Sequence, residues 1–76
     1  GTLQVLRNEP PPAWAGLCMV LQGQWKVVQA EAAARVLTAG QGAWWMDAAP
    51  QRLQPVRDPG RADPVLAFVA LERGAP

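Results

Sequence analysis

Residues 39–56, AGQGAWWMDAAPQRLQPV, decide how the rest of the chain is read. Two glycines within 39–42 mark a turn, because glycine enters the left-handed backbone region without a steric cost. Residues 43–46, AWWM, follow as a strand. Residues 47–50 form a sharp bend ending in Pro50, with Asp47 as a turn residue, and 51–56, QRLQPV, form a second strand. Leu53 is the apolar residue among polar neighbours there. Pro55 lacks an N–H, which places the end of that strand at a sheet edge. Trp44 and Trp45 are adjacent on one strand, so their side chains leave opposite faces. One is expected to fill the interior and the other to pack on a partner.

The segments to either side extend the same pattern. Residues 2–7, TLQVLR, alternate and favour a strand. Residues 8–15, NEPPPAWA, hold three consecutive prolines, which neither donate to a ladder nor sit inside a helix. Residues 16–29, GLCMVLQGQWKVVQ, carry the strongest strand signal. Leu17, Met19 and Leu21 share one parity and Cys18 and Val20 the other, so both faces are apolar, and Gly23 marks a bulge or bend. Residues 30–34, AEAAA, read either as the turn of a hairpin returning through 35–38 or as part of a helix over about 29–38. The β-branched flanks favour the hairpin. Residues 57–64, RDPGRADP, form a loop in which Asp58-Pro59-Gly60 suits a type II turn. Residues 65–71, VLAFVAL, close the chain as a strand apolar on both faces, and 73–76 are a tail. About seven short strands with closely spaced turns make one all-β domain, with an ordered part over 2–72.

Composition narrows the function. The chain has 76 residues, a single cysteine and no histidine. No internal disulfide can form, and the imidazole ligands of zinc and iron sites are missing. The net charge of +1 gives no electrostatic case for nucleic acid or an anionic membrane. No apolar run approaches a membrane span, and no secretory leader is read at the start. A lone cysteine fits a reducing compartment, the cytoplasm being the simplest. Domains this small gain from association, and two strands apolar on both faces make a homodimer the expected state.

Three features together resemble the cupin family of small jelly-roll barrels. Val20-Leu21-Gln22-Gly23 is similar to that family's V-L-x-G step. Ala39-Gly40 before Trp44-Trp45 is similar to its A-G step before an aromatic strand. Ala49-Pro50-Gln51-Arg52-Leu53 is similar to its second motif, G-x-P-H-x-x. The resemblance spans residues 2–72 and implies a closed barrel. It also places the family's metal-binding positions near Glu9 to Pro12, at about Gly16 and at Gln51, and none of these is histidine. The resemblance therefore implies a metal-free member, with no cofactor and no catalytic residues to assign.

Candidate ligand-binding residues are Gln51, as a neutral anchor facing the interior, Trp45 and Trp25, as stacking surfaces, Cys18 and Leu53. Each has a plainer reading. Cys18 lies in an apolar strand with no histidine to activate it and packs as a small hydrophobe. The tryptophans fill the core or an interface. Gln51 bonds to water or backbone. The leading expectation is a non-catalytic module that binds a small uncharged or weakly polar molecule or serves as an interaction partner. The alternative is a metal-independent isomerase or lyase, which needs acid–base groups drawn from Glu, Asp, Cys or Lys26.

Overall fold

The computed structural model describes residues 1–29, 32–46 and 51–71. The expected Pro50 bend with Asp47, residues 30–31 of the 30–34 turn and the tail at 73–76 lie outside them. Among the described residues there are seven strands and no helix: β1 (Leu3–Leu6), β2 (Gly16–Gln22), β3 (Gln24–Val28), β4 (Arg35–Thr38), β5 (Gly42–Trp45), β6 (Arg52–Val56) and β7 (Val65–Ala70). All pairings are antiparallel. One sheet has the order β1-β7-β2-β5 and the other β4-β3-β6. β3 and β4 pair from Gln24↔Thr38 to Val27↔Arg35, so the hairpin, not the helix, connects them.

The all-β expectation holds, but the closed barrel does not. The two sheets lie in separate ladders, and their edge strands β1, β5, β4 and β6 do not pair with one another to complete a ring. Closure needs matched strand tilt and stagger. These strands are four to seven residues long, and β6 carries Pro55, which cannot donate to a further strand. The arrangement is an open two-sheet sandwich.

The sheets are stitched at both ends. Gly23 breaks the long strand segment into β2 and β3, which belong to different sheets. Its φ of +74° favours glycine, and an added Cβ would sit 2.9 Å from the Cα of Pro64. Nearby, Gly40 N–H donates to Val20 O and Val20 N–H to Gln41 O, both at 2.8 Å. At the opposite end, Ala13 and Gln51 form an isolated antiparallel bridge. The Asp58–Arg61 turn forms as expected, with Gly60 at φ +81° and Arg61 N–H donating to Asp58 O at 3.2 Å.

Alternation decides the core. From the four-stranded sheet, Cys18, Val20, Trp45, Leu66 and Phe68 point inward. From the other come Trp25, Val27, Leu37 and Leu53. Trp25 and Leu66 are fully buried and Leu53 is 1% exposed. Burying a side chain of this kind contributes about 1.5–3 kcal/mol, so these positions dominate the stability of the domain.

Candidate functional site

Gln51 is the one polar side chain among the buried described residues, at 8% exposure. It precedes β6 and shares parity with Leu53, so the strand that turns Leu53 inward turns Gln51 inward too. The bridge to Ala13 holds it in place. Its Oε1 is buried and accepts no hydrogen bond. Such an orphaned acceptor costs about 1–3 kcal/mol relative to a paired one.

Trp45 lies against the same segment. Its Nε1–H donates to the Ala13 carbonyl at 2.8 Å. Its ring stacks on Phe68, with centroids 6.3 Å apart and an interplanar angle of 29°. Gly16 makes room for it, since a Cβ there would meet the ring at 2.9 Å. Ala13 thus touches both Gln51 and Trp45. The residues beside it are tied down as well: Glu9 accepts from Arg52 Nε at 3.2 Å and from its Nη2 at 3.1 Å. Segments 9–13 and 51–53 therefore meet at one end of the sandwich.

The five sequence candidates fall in one interior. Trp45, Trp25, Cys18 and Leu53 belong to the same buried cluster, with Gln51 at its end. Trp25 has a second orphaned group, its Nε1–H, which is buried without an acceptor. Trp44, by contrast, is 74% exposed on the outer face of β5, as the opposite-face expectation for the pair requires. The Cys18 thiol is buried and free. Burial pushes its pKa above the ordinary thiol value, against smaller opposing effects from the Ala43 backbone and the Arg35 charge. A thiol held protonated in this way is a poor nucleophile.

A cleft of about 330 Å³ lies elsewhere, at the Gly23 end of the three-stranded sheet. Its lining includes Gln24, Thr38 and Val56, which share one cross-strand row on the outer face of that sheet. Asp58 and Arg61 from the following loop complete it. Their side chains approach to 3.8 Å while 48% and 66% exposed, a geometry of little energetic weight. Sequence reasoning did not single out this cleft. The only signal was turn chemistry, Gly23 and Asp58-Pro59-Gly60, which marks where a chain bends and not what the bends enclose.

Among the described residues, no group of three or more His, Cys, Asp or Glu side chains comes together that could hold a metal ion. The described residues contain no helix long and apolar enough to cross a membrane. Compared with known protein families, curated proteins and solved structures, the chain matches none.

Proposed function

We propose that this chain is a metal-free, cupin-like domain that works as a non-catalytic binding module for a small, uncharged, partly apolar molecule. The observation that carries the reading is the buried, unpartnered Oε1 of Gln51 within an otherwise apolar interior. An acceptor in that setting is satisfied by a molecule bringing one N–H or O–H donor and an apolar body. The indole face of Trp45 and the side chain of Leu53 belong to the same interior. An anion or cation is disfavoured, since none of the described residues of that interior carries a buried opposite charge to offset its desolvation. What supports the family reading is that two of the three places where the motif resemblance puts ligand positions, Glu9 to Pro12 and Gln51, lie on segments that meet at one end of the sandwich, through the Ala13–Gln51 bridge and the Glu9–Arg52 pair.

Gln51 is a neutral amide that neither takes nor gives a proton at ordinary pH. A metal-independent isomerase or lyase would find no acid–base group in it. A reducing compartment such as the cytoplasm suits a chain whose single cysteine is a buried thiol.

The test is a screen of neutral aromatic amides and alcohols, read by intrinsic tryptophan emission and by melting temperature. At least one compound should shift both, and Gln51→Ala should weaken its binding at least about tenfold, the effect of one lost hydrogen bond. A compound that binds equally well to Gln51→Ala would remove Gln51 from the site.

A further inference from the structure

Among the described residues, nothing covers the face of the four-stranded sheet turned away from the core. The registers place its residues in rows. Leu3 pairs with Val69, Val69 with Leu17, and Leu17 with Trp44, giving one apolar row across all four strands. The next row is Val5, Ala67, Met19 and Gly42. Neither row contains a charge or a polar side chain. Leu3, Val5 and Trp44 are 63–74% exposed, and Leu17 and Met19 close to half. The outer face of the other sheet is different. Its rows include Lys26, Gln24, Thr38, Gln54 and Arg52, as suits a surface that stays in water.

The size of the face separates it from an ordinary exposed patch. Four strands at about 4.8 Å spacing and up to seven residues of about 3.4 Å give a footprint of roughly 400 Å². Leu3, Val5, Leu17, Met19 and Trp44 stand 45–74% exposed on it, and at about 200 Å² for a full side chain these five bring the accessible area to roughly 600 Å². That is at the top of the ~300–600 Å² range of the largest patch on a typical monomer. It approaches the ~800 Å² that each partner contributes to a stable interface.

We infer that this face is the interface of a symmetric homodimer, packed sheet on sheet. The two rows make the face complementary to itself. On β5 the largest side chain of the face, Trp44, stands two residues from its deepest recess, Gly42. That recess cannot be filled, because any Cβ at Gly42 would collide with the Cys18 carbonyl. A two-fold axis lying in the interface, across the strands, exchanges the rows. Trp44 of each copy then covers Gly42 of the other, Leu17 meets Met19 and Leu3 meets Val5. Every contact occurs twice, as an isologous interface requires. Because the face is uncharged, a second copy brings no like-charge repulsion. The charged residues of the opposite sheet remain outside.

Sedimentation equilibrium of the whole chain at 1–50 µM tests this. The expected mass is twice the chain's 8.2 kDa. Met19→Lys and Val5→Lys, at different strands of the face, should each return the mass to one chain. Their far-ultraviolet circular dichroism should stay unchanged, since both side chains point away from the core. Lys26→Glu, on the other sheet, should leave the dimer intact. A monomer throughout that concentration range would overturn the inference and leave the face to a different partner. A dimer that survives both lysine variants would overturn it by placing the interface elsewhere.

Discussion

Replacing Gln51 with leucine should make the domain more stable while removing its proposed function. The folded chain holds Gln51 at 8% exposure with Oε1 unpartnered. In the unfolded chain that oxygen is hydrogen-bonded to water, so folding forfeits about 1–3 kcal/mol at this one atom. Leucine has nearly the same volume, carries no polar atom and belongs beside Leu53 and Trp45. The loss of whatever the amide nitrogen contributes works in the opposite direction. A net gain of about 1–2 kcal/mol is expected. For a domain of 60–100 residues each kcal/mol moves the melting temperature by about 4–8 °C, so Gln51→Leu should melt roughly 4–15 °C higher. Thermal and urea unfolding followed by far-ultraviolet circular dichroism measure it, at one fixed chain concentration because association shifts apparent stability. Gln54→Leu is the control. Gln54 is half-buried on the opposite face of β6, and its replacement should change stability by no more than about 0.5 kcal/mol. A Gln51→Leu variant destabilised by 1 kcal/mol or more would refute the reasoning, because the amide would then be a satisfied structural group.

Two further outcomes follow from the backbone and the core. Gly23→Ala and Gly40→Ala both force alanine to a positive φ, at +74° and +88°, costing about 1 kcal/mol each. Gly40 faces open space, whereas a Cβ at Gly23 meets the Pro64 backbone, so in urea unfolding Gly23→Ala should lose clearly more stability. Iodoacetamide at pH 8 should modify Cys18 at least about tenfold more slowly in the folded chain than in urea, since burial both raises its pKa and blocks access. Equal rates would mean that the thiol is open to solvent.

Strand positions were legible because alternation and turn chemistry are local. The parity of Leu17, Met19 and Leu21 against Cys18 and Val20 placed β2, and Gly23 correctly marked its end. Trp44 and Trp45 separated as their adjacency requires. What the pattern could not carry was the relation between strands. Whether seven short strands close into a barrel depends on tilt and on which edges remain free, and alternation is the same in a barrel and in a sandwich. The burial of Gln51 was only partly within local reach. Parity with Leu53 points Gln51 inward, but the bridge that pairs it with Ala13, far away in sequence, is not written in residues 51–53. The cleft by Gly23 was hidden for the same reason, because three strand ends and one loop build it together.

The most direct measurement is a nitrogen–proton correlation spectrum of the labelled chain, titrated with neutral aromatic amides and alcohols. It resolves the side-chain amide of Gln51 and the four indole N–H groups separately. Binding at the proposed site should move the Gln51 amide and the Trp45 indole, at saturable and equal apparent affinity, while the Trp44 indole on the outer face stays where it was. Shifts confined to Trp44, or to residues of the cleft beside Gly23, would contradict the assignment of the interior near Gln51 as the binding site.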